Sequence, residues 1–228
     1  MTLASKVKVP SHIALIPDGN RRWSRTQGLS IMSGYKNGVS KFIAFSLWAK
    51  AFGVNTLTVW ALSTENISNR SRLELNTLYA IYMKAARDPK LFALLVKNKA
   101  RIRFVGNLRL IPASLRKALL ELEARTKQYS DLTINLLIGY GGRDDLVYAA
   151  SKGATSEEAF SKKIRTSTIP DVDLIIRTSG EHRLSGFLPW QTDYSEIYFS
   201  RKFWPDFQRR DLKRAIESYT ARERRFGK

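Results

Sequence analysis

The chain has 228 residues, with 39 Lys and Arg against 20 Asp and Glu, a net charge of +19 and a pI near 10.3. At 43% hydrophobic and 26% charged residues it is globular rather than disordered, and long enough for one domain, residues 1–228, with a sizeable core. Zero Cys excludes disulfides, thiolate metal sites and a cysteine nucleophile, and apolar runs such as Leu91–Val96 are too short to span a bilayer. Met1–Ser11 lacks the apolar stretch of a secretory signal, so a cytoplasmic protein is expected, its charge meeting nucleic acid, an anionic membrane or phosphorylated small molecules.

His12–Ile16 is an apolar run ending in Pro17-Asp18-Gly19, which predicts a buried strand and a turn. Gly38–Phe52 predicts a helix stopped by Gly53, and Thr56–Trp60 a second strand. From Glu74 to about Lys97 the spacing is helical with an interruption at Pro89; the strand Arg101–Val105 follows. Leu115–Gln128 reads as a helix, Leu132–Ile138 as a strand, Asp145–Ser151 as a helix and Asp173–Ile176 as a strand. Ile197–Phe199 is a further short strand, and a basic helix closes the chain. Strands alternating with helices predict an α/β fold with a mostly parallel sheet covered on both faces, in which ligands gather at the carboxyl ends of the strands.

Three such strand ends are polar. In Asp18-Gly19-Asn20-Arg21-Arg22-Trp23, Gly19 lets backbone N–H groups approach an anion, the arginines suit phosphate oxygens, and Asp18 could hold Mg²⁺. The plain alternative is an Asp-Gly turn with solvated arginines, and no Walker or dinucleotide glycine motif is present. Arg177, Arg183 and Ser185 form a second diphosphate cradle or a charged surface loop; Glu181 could bind metal or hold an arginine. His182 is one of two histidines, too few for a multi-histidine zinc site. Glu196 is either a metal ligand or an ordinary carboxylate at a strand start. These loops suggest two phosphate sites beside carboxylates for a divalent cation, without naming a substrate.

His12–Trp23, Ser63-Thr64-Glu65-Asn66, Tyr140-Gly141-Gly142-Arg143, Asp173–Arg183 and Arg224-Arg225-Phe226-Gly227 resemble the motifs of the cis-prenyltransferases, the undecaprenyl diphosphate synthase family, in order and spacing. The resemblance runs from about Val9 to the end. It implies a central six-stranded sheet, an apolar tunnel for the growing prenyl chain, a homodimer, and Mg²⁺-dependent condensation of an allylic diphosphate with isopentenyl diphosphate to a Z product. By position, it implies Asp18 for Mg²⁺ and diphosphate departure, with Gly19, Asn20, Arg21, Arg22 and Trp23 in the allylic diphosphate loop. Asn66 and Arg70 match residues that support catalysis, Asn66 with a diphosphate oxygen being a candidate base. Arg177, Arg183 and Ser185 match the isopentenyl diphosphate binders, Glu196 the carboxylate near the metal, and Arg225 and Gly227 an element lent across the dimer.

Two positions depart from the usual bacterial pattern: Ile31 stands where an Arg is common and Tyr35 where a His is common. An unreplaced guanidinium contact would cost about 1.5–3 kcal/mol. Such departures resemble irregular couplers of the lavandulyl type, in which the isopentenyl site is altered; here Glu181-His182-Arg183 is retained, favouring isopentenyl diphosphate. Leu137 and Ile138, with Tyr79, Tyr82 and Met83 on the helix expected to line the tunnel, predict a short or medium product. Between Tyr198 and Lys228 ten Lys or Arg oppose four Asp or Glu. Without a nucleic-acid-binding signature, peripheral contact with anionic membrane is the better expectation and no nucleic acid partner is expected. A non-catalytic partner subunit ranks low because the Asp18 and Arg183 positions are kept.

Overall fold

The computed structural model describes residues 9–222. Strands β1 (His12–Ile16), β2 (Thr56–Ser63), β3 (Ala100–Val105), β4 (Leu132–Tyr140), β5 (Leu174–Arg177) and β6 (Glu196–Phe199) form one sheet. Their order is β3-β4-β2-β1-β5-β6 and every adjacent pair is parallel, so the expected six-stranded sheet is present and wholly rather than mostly parallel. β1 is buried at all five positions, as a central strand covered on both faces requires.

Nine helices are described: α1 (Asn20–Thr26), α2 (Ile31–Ala51), α3 (Thr64–Asn69), α4 (Arg72–Arg87), α5 (Pro89–Lys97), α6 (Ala113–Thr126), α7 (Gly142–Ser151), α8 (Glu157–Lys163) and α9 (Arg209–Thr220). α2 begins seven residues before the expected Gly38 because Ser30 caps it, accepting from Ser33 N at 3.3 Å. The Pro89 interruption is a true boundary. Asp88 ends α4 and caps α5, accepting from Lys90 N at 2.8 Å, and Pro89 takes the first turn, where no N–H is needed. β2 outlasts its predicted end through register shifts around Ala61. The short helices α3 and α8 were not anticipated; both are capped by serines, Ser63 and Ser156.

Alternation along the strands divides the core. Ile13, Leu15, Leu57, Val59, Ile134 and Ile138 face the larger cluster, with Phe45 of α2, Leu78 of α4 and Leu119 of α6. Ala14, Ile16, Leu137 and Ile175 face the smaller cluster with Phe187 and Leu188. Leu137 therefore points away from the face on which it was expected beside Ile138. The edge strand β3 is closed by α6: Thr126 Oγ1 and Glu123 Oε2 accept from Ile102 N and Phe104 N at 3.2 and 2.8 Å.

Trp204 ties this frame to the first polar loop. Its ring packs on Phe45 and Phe207 at centroid distances of 5.5 and 5.8 Å. Its indole N–H donates to Gly38 O at 2.9 Å and its backbone N–H to Asp18 O at 3.0 Å. The loop after β1 is thus anchored to α2 rather than left to solvent.

Candidate active site

The chain places β2, β4 and β3 on one side of β1, then returns to add β5 and β6 on the other. The carboxyl ends of β1 and β5 therefore flank the point where the winding reverses, which is where parallel sheets leave a crevice. Asp18 and Arg177 meet there. Asp18 Oδ2 accepts from Arg177 Nη2 at 3.0 Å, while Oδ1 accepts from Gly19 N at 2.6 Å and Arg22 Nη2 at 3.3 Å. Burial works to raise the Asp18 carboxyl pKa, but the Arg177 hydrogen bond and charge, aided by Arg22, hold it below the usual value. Asp18 is ionised at neutral pH. Gly19 adopts φ +98°, and a Cβ there would stand 2.6 Å from Phe203 Cδ1 and 2.9 Å from Ser179 Cβ, so the turn admits no larger residue without movement.

Arg177 is nearly buried, its side chain 6% exposed. Nη1 donates to the Arg183 carbonyl and to Ser185 Oγ at 2.9 Å, and Nε has no partner. Arg22 Nη1 donates to Glu181 Oε1 and Nη2 to Ser179 Oγ, each at 2.7 Å. Glu181 also pairs with Arg183 at 2.6 Å; first Arg22 and then Arg183 hold its pKa down. An unbroken series, Arg183–Glu181–Arg22–Asp18–Arg177, therefore joins the loop after β1 to the loop after β5. Of the readings open for Glu181, the structure shows it holding two arginines.

A cavity of about 530 Å³ opens at this crevice and runs under α2, α4, α5 and α6. Asp18, Asn20, Asn66, Arg70, Arg177 and Ser185 line its mouth; Leu119, Leu122, Leu132 and Ile134 line its depth. Asn66 is placed by α3, whose cap Ser63 Oγ accepts from Asn66 N at 3.0 Å. Asn20 Oδ1 is buried without a hydrogen-bond partner. The Tyr140–Arg143 motif has a packing role: a Cβ on Gly142 would lie 2.1 Å from Gly186 O, so only glycine lets α7 start against the second polar loop. Ile138 and Tyr82 line the cavity as expected, and Tyr82 Oη donates to Ala61 O at 2.7 Å, where β2 shifts register. Tyr79 and Met83 do not line it; they pack against the larger core cluster, partly buried.

Other expected residues fall elsewhere. Trp23 does not line the cavity and donates its indole N–H to Asp206 Oδ1 at 2.8 Å. Glu196 opens β6 opposite Leu174, while Arg177 stands opposite Phe199. Three strand positions, about 10 Å, separate the two rows, and Glu196 pairs instead with Arg222. It is not brought to Asp18. Arg225 and Gly227 lie outside the described residues. Sequence reasoning missed Glu74, whose carboxylate receives the Tyr35 hydroxyl and stands 3.8 Å from Arg21 Nη1 and 3.4 Å from Arg70 Nε. Its only sequence signal, Ser71-x-x-Glu74, is that of a helix start, and Ser71 does cap α4.

Comparison with known proteins agrees with this geometry. The family model described as "Putative undecaprenyl diphosphate synthase" matches residues 16–227. A tritrans,polycis-undecaprenyl-diphosphate synthase (geranylgeranyl-diphosphate specific) of Pyrobaculum aerophilum is 41% identical over 239 residues, covering 100% of both chains. Lavandulyl diphosphate synthase from Lavandula x intermedia, solved with dimethylallyl diphosphate, superposes with a TM-score of 0.91 at 33% identity, covering 96% of this chain and 99% of that one. A probable undecaprenyl diphosphate synthase from Campylobacter jejuni superposes with a TM-score of 0.80 at 30% identity, covering 97% and 100%. With two arginine-rich loops meeting at Asp18 over an apolar cavity, and with this likeness along its whole length, the chain belongs to the undecaprenyl diphosphate synthase family of cis-prenyltransferases.

Proposed function

We propose that this prenyltransferase condenses an allylic prenyl diphosphate with isopentenyl diphosphate, forming a Z double bond and releasing diphosphate. The observation that carries the reading is the junction of two arginine loops at one ionised carboxylate above an apolar cavity. Asn20, Arg21 and Arg22 bind the allylic diphosphate, and Arg177, Arg183 and Ser185 the isopentenyl one. On binding, phosphate oxygens replace carboxylates as partners of Arg22 and Arg177 and free Asp18. The allylic C–O bond breaks, the isopentenyl double bond attacks the allylic carbon, and a proton leaves to a diphosphate oxygen beside Asn66. Holding both reactants in register and stabilising the departing charge carry the rate.

The donor set suits Mg²⁺, which takes oxygen ligands and is commonly held by one or two carboxylates plus substrate phosphates. Asp18 is ionised and part-exposed, and no group of three metal-ligating side chains exists among the described residues, so the substrate would complete the shell. Asp18 is the residue that would hold the ion, which supplies charge stabilisation to the departing diphosphate.

Geranylgeranyl diphosphate is the allylic substrate of first choice, from the name of the Pyrobaculum relative. Tyr82 and Ile138 in the cavity wall support few condensations and a short or medium product. A homodimer, completed by the chain end holding Arg225 and Gly227, and peripheral contact of a +19 protein with anionic membrane belong to the same reading. Among the described residues no helix is long and apolar enough to cross a membrane. The lavandulyl neighbour raises irregular coupling as a second reading; the intact Arg177, Glu181, Arg183 and Ser185 cluster favours isopentenyl diphosphate.

Purified protein with geranylgeranyl or farnesyl diphosphate, labelled isopentenyl diphosphate and Mg²⁺ should give labelled short products. No incorporation with any allylic partner overturns the activity, and products without isopentenyl diphosphate establish irregular coupling instead. A ladder reaching undecaprenyl length overturns the product assignment.

A further inference from the structure

Four elements meet behind the cavity mouth at one carboxylate, Glu74, whose side chain is 12% exposed. Tyr35 of α2, itself buried, donates its hydroxyl to Glu74 Oε1. Arg21 of α1 and Arg70, between α3 and α4, stand 3.8 and 3.4 Å from the same oxygen. The Arg70 guanidinium also lies over the Tyr35 ring, 5.4 Å from its centroid. Arg70 and Tyr35 line the cavity with Asp18 and Asn66, whereas Glu74 stands behind them. Arg70 Nε is buried and, although near Glu74, makes no hydrogen bond.

A buried carboxylate persists only when paired, and here two cations and a neutral donor share one oxygen. Burial, then the hydrogen bond to Glu74, raises the Tyr35 pKa well above that of an ordinary phenol, so Tyr35 remains a donor throughout the working pH range. Each arginine carries rotamer freedom that must be lost when it grips an anion; fixing it beforehand removes that loss from binding.

We infer, resting on the substrate reading above, that Glu74 and Tyr35 are positioning residues for the allylic diphosphate: they hold the Arg70 guanidinium in the cavity wall, and the Arg21 guanidinium beside the same carboxylate, before substrate arrives. Neither touches the reacting atoms. Tyr35 does two things at once, orienting the carboxylate through its hydroxyl and seating Arg70 through its ring. The isopentenyl-side Arg177 and Arg183 are held instead by Ser185 and by Glu181, which also holds Arg22, and neither touches Glu74 or Tyr35.

The test compares Glu74→Gln and Tyr35→Phe with wild type. It reads KM for each substrate, kcat, melting temperature, and binding of a non-cleavable thio-analogue of geranylgeranyl diphosphate by calorimetry. Glu74→Gln should raise the allylic KM and the analogue Kd about tenfold, or about 1.4 kcal/mol, with isopentenyl KM unchanged. Tyr35→Phe keeps the ring and should show a smaller rise of the same kind; it carries the test if Glu74→Gln does not fold. Equal shifts in both KM values, or a loss of kcat with allylic KM and analogue Kd unchanged, overturn the inference. Wild type that binds the analogue without turnover sinks the proposed reaction and leaves this inference to the Kd comparison. Wild type that does not bind the analogue overturns both.

Discussion

From Asp18 and Arg177 at the mouth of the cavity outward, Arg22, Glu181 and Arg183 continue a series of charges satisfied across two loops. In the depth the wall is Leu and Ile, and its polar side chains are turned to backbone partners, Tyr82 to Ala61 O and Ser46 to Phe42 O. The mouth is therefore a place where a substrate must exchange partners, phosphate oxygens for carboxylates, with charge conserved. The depth offers no partner to exchange and can discriminate by volume alone. On the proposed function, rate belongs to the first region and chain length to the second.

The strongest way to break that division is at Asp18. Asp18→Ala should lower incorporation of labelled isopentenyl diphosphate about a thousandfold, the upper range for loss of one preorganised charge-stabilising group. Surviving product should keep its length. In the depth, Tyr82→Ala should lower stability by about 2 kcal/mol, less than the loss of a fully buried aromatic side chain because Tyr82 is partly buried against the core and faces the cavity. Denaturant unfolding measures that, and chain-length analysis should find longer products.

Outside both regions, the amino-terminal end of β1 sets a pH response. His12 Nδ1 faces the Pro170 and Asp171 carbonyls at 3.1 and 3.0 Å, and Nε2 lies 2.8 Å from the Thr58 hydroxyl. Nδ1 is thus the donor, and Thr58 donates to Nε2. Burial lowers the His12 pKa from 6.5 despite those carbonyls and the nearby Asp173 and Asp171. Below that value the unfolded chain takes up a proton that the folded chain resists. Stability contributed here is complete above 6.5 and falls on acidification, by up to about 1.4 kcal/mol per pH unit for one proton. Unfolding of wild type and His12→Gln from pH 7.5 to 5 should show the steeper fall in wild type. Turnover per folded molecule should not follow it, because His12 belongs to neither region.

The smallest effect is at Ser179, which holds a left-handed φ of 75° while its hydroxyl accepts from Arg22. Ser179→Gly should relieve about 1 kcal/mol of backbone strain and raise Tm, while loosening Arg22 and raising the allylic KM. A Tm gain with an unchanged KM would show that the hydroxyl does not position Arg22.

The parallel sheet was legible because buried strands are short continuous apolar runs, and Pro89 marked a real helix boundary. The polar strand ends were legible as a site because Asp18 and Arg177 each directly follow or close such a run. What escaped depended on the third dimension. Residues 136–138 read as one apolar stretch, yet period-two geometry turns Leu137 to the opposite face. Glu196 looked like Asp18's neighbour until the β5–β6 register placed it at the other end of the strand. Glu74 was hidden by its own local motif, since a helix-start Glu needs no tertiary explanation.

One assay tests the separation of mouth from depth directly: wild type, Asp18→Ala and Tyr82→Ala, each given geranylgeranyl diphosphate, labelled isopentenyl diphosphate and Mg²⁺, with total label and product length read together. Asp18→Ala should lose label without changing length, and Tyr82→Ala should lengthen the product while retaining most of the label. If Tyr82→Ala loses label as Asp18→Ala does and its remaining products keep the wild-type length, the cavity depth does not measure the chain and the account is contradicted.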